Sequence, residues 1–368
     1  MRRSSSLRAI VLYACSGSLG HRGLAENYCQ LLDSLGIQAT VVDVLQLDRH
    51  RTFQWYSGLY FWVLKKIPEL WRWFYRHWTK VPLLDFIRLD ILPKRFVATS
   101  QFLCAVAPDL VISTHPVSTG IVSKLKKQGR ITCPLWIAFS DWHVQPFWIF
   151  PEAARYLVPL SRQRIELKLL GVRADVNVVG MLLRKEYYEP LPPRTIPDSS
   201  TERSKIIVVI SGGKGWALES VLGHLRDVAA KVYIIAGSSC RKTQIEKFLA
   251  AGSYGREWVI LGFVDPLSYL HDADLVIAKP GGLSTAEVLQ LAKPLLLVSA
   301  MPGHEEENAQ VLSACGIRWV KRLEELPCLI NQYLMFGAPP VRSLLNEQSA
   351  SPALVFDALR TAFPDFND

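Results

Sequence analysis

Short apolar runs recur along the chain, and most are followed by a stretch whose apolar positions have helical spacing. AIVLYA (9–14) reads as a buried strand, with a helix at 22–35 and a second strand, QATVVDV, at 38–44. The rhythm continues through DLVIST (109–114) and the helix after it, PLWIAFS (134–140), RYLVPLS (155–161) with a helix at 162–170, and VNVVGM (176–181). It restarts with IIVVIS (206–211), helix 216–229, VYIIAG (232–237), helix 241–251, WVILGF (258–263), LVIAKP (275–280), helix 284–291 and LLLVSA (295–300). Apolar strands that alternate with helices predict parallel sheets covered on both faces. Between the two series lies PLPPRTIPDSSTERSK (190–205), proline-rich and polar, with no material for a core. The expectation is therefore an α/β chain of two doubly wound, Rossmann-like domains, 1–195 and 203–345, facing a cleft. The amphipathic helix PALVFDALRTAF (352–363), within the tail 346–368, could pack back on the first domain.

The segment from 53 to 88 breaks this pattern. Between Phe53 and Trp78 stand eleven aromatic residues, five of them Trp, interleaved with Lys65, Lys66, Arg72, Arg76 and Lys80 and opposed only by Glu69. Trp71, Phe74 and Trp78 fall on one helical face. So many Trp and Tyr among Lys and Arg suit the headgroup level of a membrane. Ordinary packing behind a solvated basic face, or a protein or nucleic-acid partner, are the other readings. The formal charge of +9 over 368 residues points to an anionic partner. Residues 53–80 then read as a contact with an anionic membrane surface. The chain has no apolar, charge-free run of 18 residues, and its basic start, MRRSSSLR, lacks the long apolar stretch of a cleaved leader. The expectation is a peripheral protein on the cytoplasmic face of a membrane. The seven cysteines are scattered without a CxxC, as small buried hydrophobes of a reducing compartment would be, and no metal cluster is expected.

Candidate chemistry sits where strands give way to helices. CSGSLGHRG (15–23) joins the first strand to the first helix; Gly17 and Gly20 permit a tight turn, and helix-start amides suit an anion. His21 in this turn is either a base or an incidental helix-start histidine. The spacing is neither GxGxxG nor a Walker loop, which weakens nicotinamide and nucleotide-hydrolase readings. In the second domain ISGGKG (210–215) presents Gly212, Gly213 and Lys214, either a phosphate cradle or an ordinary turn. KPGGLSTAE (279–287) brings Gly281, Gly282, Ser284, Thr285 and Glu287. Ser284 with Glu287 could form a capping box, or Glu287 could face ribose hydroxyls. MPGHEEENA (301–309) adds His304, Glu305 and Asn308 at a strand end, paired donors and acceptors for a polyhydroxylated ligand.

The pair KPGGLSTAE and PGHEEENA, with GSLGHRG, SDWHVQPFW (140–148) and NVVGMLL (177–183), resembles the inverting glycosyltransferase family of monogalactosyldiacylglycerol synthase and processive diacylglycerol glucosyltransferase. The resemblance covers about residues 9 to 345 and implies a GT-B fold. It implies transfer of a hexose from a UDP-sugar to diacylglycerol, or to another lipid or polyprenyl-linked acceptor; a non-catalytic relative is the other outcome. By resemblance, His21 is the base on the acceptor hydroxyl, and Gly212 and Gly213 belong to the phosphate-side loop. Phe263 and Val264 match the pair that reads the uracil, Glu287 the ribose-binding glutamate, and His304 and Glu305 the donor-sugar contacts. Segment 53–80 matches the lipid-facing excursion. Three departures stand out: Ser18 and Leu19 before the histidine, Gln145 four residues after Asp141 where relatives carry histidine, and His304 where relatives often carry glutamine. The diphosphate's charge can be met by glycine-loop amides, so the mechanism asks for no metal or other cofactor.

Overall fold

The computed structural model of the chain describes residues 7–14, 19–48, 62–63, 66–77, 85–190, 204–212, 218–252, 257–338 and 351–364. The chain divides into two compact units. Met1–Arg184, Pro302–His304 and Glu347–Asp368 form the first, and Lys185–Met301 with Glu305–Asn346 the second. Most of the 190–205 stretch read as a linker lies outside the described residues.

The first unit starts with β1 (Arg8–Tyr13), α1 (Leu19–Ser34), β2 (Gln38–Asp43) and the single turn α2 (Val44–Leu47). α3 (Pro68–Arg76) is followed by a π-helical turn at Ile87–Ile91 and a 3-10 turn at Leu92–Arg95. Then come α4 (Val97–Val106), β3 (Leu110–Ser113), α5 (Pro116–Lys127), β4 (Leu135–Ala138), β5 (Arg155–Val158), α6 (Ser161–Leu169) and β6 (Asp175–Val178). Among the described residues these strands form one parallel sheet in the order β2-β1-β3-β4-β5-β6. Val11 lies level with Val41 on one side and Ile112 on the other. β3, β4 and β5 are buried along their whole length and are apolar except at Ser113, which ends β3, and Arg155, which begins β5, whereas the edge strands β2 and β6 are half open.

The second unit runs β7 (Ile206–Ile210), α7 (Leu218–Gly223), β8 (Lys231–Ile235), α8 (Ser239–Ala250), β9 (Trp258–Leu261), α9 (Leu267–Asp272), β10 (Leu275–Ala278), α10 (Gly282–Gln290), β11 (Leu295–Leu297), α11 (His304–Ala314), β12 (Arg318–Trp319) and α12 (Leu326–Phe336). Its sheet is also parallel, ordered β12-β11-β10-β7-β8-β9. The last helix, α13 (Ser351–Ala362), returns to the first unit. There the buried Arg155 of β5 donates from Nη1 to the Ala358 carbonyl at 2.6 Å and from Nη2 to Asp175 at 3.2 Å. Its guanidinium lies 4.9 Å above the Trp136 ring.

Several boundaries differ from the sequence reading. The strands stop earlier than their apolar runs; Ser299, with φ of 50°, breaks the run after Leu297. α1 begins at Leu19, so Gly20 belongs to a helix and not to the turn. Of the helix expected over 216–229, Leu218–Gly223 is helical and 224–229 is turn and loop, while 216 and 217 lie outside the described residues. After β11, Pro302 and Gly303 form a turn as the sequence suggests, and α11 starts directly behind it at His304, where three glutamates complement the positive end of the helix dipole. Cys133 is buried, but Cys240 and Cys328 are exposed, against the expectation of buried cysteines.

Candidate functional site

In each sheet the strand order reverses once, between β1 and β3 in the first unit and between β7 and β10 in the second. Parallel open sheets leave a crevice beyond the carboxyl ends of the two strands that flank such a reversal. In the first unit Leu12 lies level with Ser113, so the chain leaving β1 and the chain leaving β3 emerge side by side. The first brings His21, the third residue of α1; the second brings Thr114 and His115.

His21 is half-buried, and its Nδ1 lies 2.6 Å from the Thr114 carbonyl, with Ser140 Oγ alongside at 3.0 Å. A carbonyl oxygen only accepts, so Nδ1 carries the proton and the ring's lone pair is on Nε2. Thr114 is buried and returns a bond from its hydroxyl to the His21 carbonyl at 2.9 Å, which fixes the first turn of α1 against the end of β3. Burial lowers the His21 pKa below its ordinary 6.5, against the raising influence of Asp141 and of the Thr114 carbonyl. The result is a neutral imidazole with its basic nitrogen unprotonated at neutral pH, the state a general base needs.

Ser140 and Asp141 belong to the SDWHVQPFW loop after β4, a segment that is itself mostly buried. Trp142 and Trp148 anchor it, and the side chain of the fully buried Gln163 donates to the carbonyls of Asp141 and His143 at 3.0 and 3.3 Å. Trp148 also lies 6.2 Å from the His21 ring. His143 makes a 2.6 Å hydrogen bond with the hydroxyl of the buried Tyr75, on α3. This histidine, displaced by two positions from the family's pattern, thus ties the aromatic-basic segment to the loop. Gln145 caps a 3-10 turn, Pro146–Trp148, and is buried.

In the second unit Ile210 lies level with Ala278, which places Gly212 beside Lys279. Gly212 has φ of 67°, in the left-handed region that favours glycine, and a Cβ there would run into the end of the Lys279 side chain. Lys279 in turn pairs with the buried Glu305, whose other oxygen accepts from the Met301 amide at 2.9 Å. Gly213 and Lys214 lie outside the described residues. Lys279 was quoted in the sequence motif but not singled out, because the contact that gives it meaning spans two loops far apart in sequence.

α10 starts at Gly282 with Gly281 as its cap, and no side chain caps it. Ser284 is therefore inside the first turn and Glu287 in the second, which overturns the capping-box reading. The first amides of α10 are left for an anion. Thr285 is buried and its hydroxyl is spent on the carbonyls of Gly281 and Gly282, at 2.6 and 2.9 Å. Asn308, also buried, donates to the Pro280 carbonyl at 3.1 Å. Thr285, Glu305 and Asn308 thus brace the loops from inside the unit. Ser284 and Glu287 are half-buried, Val264 is half-buried, and Phe263 is 77% exposed beyond β9. His304 opens α11.

Of the segment 53–80, only residues 62–63 and 66–77 are described, so Trp78 lies outside them. On α3 the outward apolar residues are Leu70 and Trp73, continuing from Ile67, while Trp71 and Phe74 are half-buried. The exposed face is therefore rotated from the one expected. Trp62, Phe86, Ile87 and Ile91 are further exposed apolar side chains of this unit. Among the described residues no helix is long and apolar enough to cross a membrane, and no cluster of three or more His, Cys, Asp or Glu is placed to hold a metal.

The profile of the monogalactosyldiacylglycerol (MGDG) synthase family matches residues 24–181, and that of the glycosyltransferase family 28 C-terminal domain matches residues 206–353. The processive diacylglycerol beta-glucosyltransferase of Bacillus cytotoxicus is 27% identical over 228 residues, 58% of this chain and 56% of that protein. The enzyme of that name from Bacillus cereus (strain G9842) is also 27% identical, over 226 residues. The chain thus spans little more than half the length of the curated relatives it matches. Acinetobacter baumannii MurG has a similar fold, with a TM-score of 0.57 and 14% identity over 96% of this chain and 99% of that one. Thermosynechococcus elongatus sucrose-phosphate synthase reaches a TM-score of 0.61 at 12% identity, over 98% of this chain and 99% of that one. The chain has the GT-B fold and is related to the family of monogalactosyldiacylglycerol synthase and processive diacylglycerol glucosyltransferase.

Proposed function

We propose that the chain transfers a hexose from a UDP-sugar to the free hydroxyl of diacylglycerol, with inversion, as a peripheral enzyme on the cytoplasmic face of a membrane. The observation that carries the reading is His21. It is a neutral histidine at the crevice of the first sheet, with its lone pair fixed on Nε2 by the Thr114 carbonyl. Nε2 takes the acceptor proton while that oxygen attacks the anomeric carbon, and the bond to the diphosphate breaks. UDP leaves as an anion. Its charge is met by the uncapped amides of α10, by Lys279 beside Gly212, and by the loop that includes Gly213 and Lys214. Phe263 and Val264 receive the uracil, Glu287 the ribose hydroxyls, and Ser284 with the α11 start at His304 the sugar side. Glu305 and Asn308 act by holding these loops in place. The exposed face of Ile67, Leu70 and Trp73, with Lys66 and Arg76 exposed beside it, rests on anionic lipid.

The test is a screen of UDP-sugars against lipid acceptors in vesicles, read by mass spectrometry, with H21A beside the wild type. The wild type is expected to glycosylate diacylglycerol, and H21A to lose about a hundredfold or more in kcat. Full turnover by H21A overturns the base assignment. Transfer to a different lipid or to a polyprenyl-linked acceptor replaces the acceptor, and UDP binding without transfer to any lipid makes the chain a binding protein.

A further inference from the structure

His115 lies beside His21, yet neither the sequence motifs nor the proposed reaction gives it a task. The residue sits at the end of β3 and caps α5, its Nδ1 accepting from the Val117 amide at 3.1 Å. That bond places the ring's proton on Nε2, the reverse of the arrangement in His21. Its backbone is held hard: the carbonyl takes hydroxyl bonds from Ser118 at 2.8 Å, Thr119 at 3.0 Å and Ser113 at 3.1 Å, all three buried. The two imidazoles meet edge to face, with centroids 4.6 Å apart and planes at 82°. Burial, and then the neighbouring His21, push the His115 pKa well below 6.5, so the ring stays a neutral donor. Among the described residues its Nε2 has no hydrogen-bond partner. The crevice thus offers an acceptor nitrogen and a donor nitrogen, each on a rigid element.

A lone alcohol satisfies only one of these nitrogens. A molecule with a second oxygen on the carbon next to the reacting one satisfies both. We infer that His115 is a substrate-binding residue, donating from Nε2 to an ester or ether oxygen vicinal to the hydroxyl that His21 deprotonates, so that the pair selects acceptors built on a vicinal diol. The inference rests on the proposed reaction, and it adds a reason why a glyceride would be preferred to a simple long-chain alcohol.

The experiment compares wild type, H115N and H115A on two acceptors in mixed micelles, diacylglycerol and a branched long-chain primary alcohol with no second oxygen. Asn keeps the cap, because its side-chain oxygen can take the Val117 amide, but it loses the donor at the Nε2 position. H115N is expected to melt like the wild type and to lose about tenfold in kcat/KM on diacylglycerol, the range of one neutral hydrogen bond. Its KM for the UDP-sugar and its rate on the simple alcohol should be unchanged. H115A, which loses both roles, is expected to show the same acceptor discrimination together with a lower melting temperature. Equal losses for H115N on both acceptors, or no loss on either, overturn the inference while leaving the glycosyltransferase reading intact. Absence of transfer by the wild type to any acceptor fails that reading instead.

Discussion

Burial and Asp141 pull the His21 imidazole in opposite directions. Desolvation is the larger influence, so the pKa ends below 6.5, but the carboxylate limits how far it falls. The acidic limb of kcat/KM for the acceptor reports the free enzyme's base, and activity is lost as pH falls through that pKa. The wild-type limb is therefore expected below pH 6.5. D141N removes a charge that favours the imidazolium while keeping the side chain's shape, so the limb should move to still lower pH. A pH series of acceptor kcat/KM for both proteins checks this. An unmoved limb, or one moved upward, means that Asp141 does not act on the base. His21 itself was legible in the sequence as a histidine in a suspicious turn. Its tautomer was not, because the atoms that set it, Thr114 O and Ser140 Oγ, lie 93 and 119 residues away.

At the scale of single elements, periodicity located the strands well and the helix faces less well. Strands buried on both faces read as near-continuous apolar runs, so β3, β4, β5 and β10 stand out in the sequence even with Ser113 and Arg155 at strand ends. α3 does not, because both of its faces are aromatic. Trp71, Phe74 and Trp78 have the right spacing for a shared face, but spacing cannot say which aromatic face turns inward. Tyr75 decides the matter. It is buried with its hydroxyl on His143, which rolls Ile67, Leu70 and Trp73 outward. The membrane test follows that face. Replacing Ile67, Leu70 and Trp73 together by Ser removes exposed apolar area without touching Tyr75, so flotation with anionic vesicles should fall at least tenfold while the melting temperature holds. Equal flotation of the triple variant and the wild type counts against α3 as the membrane face. The start of α10 was misplaced for a different reason: glycines at the cap and first helical position carry no apolar signal, and the structure extends the helix back to Gly282.

For the whole molecule, the order of strands carries more of the argument than their number. Alternation in the sequence gives two parallel α/β units, but sheet order is a non-local property that no window of residues contains. Only with β1 beside β3 and β7 beside β10 do His21 with His115, and Gly212 with Lys279, become neighbours at the two reversal points. The same non-locality applies to the end of the chain. The amphipathic pattern of 352–363 says that α13 must cover something, and Arg155 shows what it covers in the first unit. The contact joins residues 203 positions apart, with Val355, Ala358 and Leu359 buried on the helix side. Removing one partner of a buried charged hydrogen bond costs about 2 kcal/mol, and Arg155 also gives up its place over Trp136. R155M keeps the length and apolar stem of the side chain and deletes its donors. The expected result is faster amide exchange along 351–362 and early proteolysis after α12, with protection of β7, β8 and β10 unchanged. If α13 keeps its wild-type protection in R155M, its apolar face alone secures it, and the arginine is dispensable for bringing the chain back to its first unit.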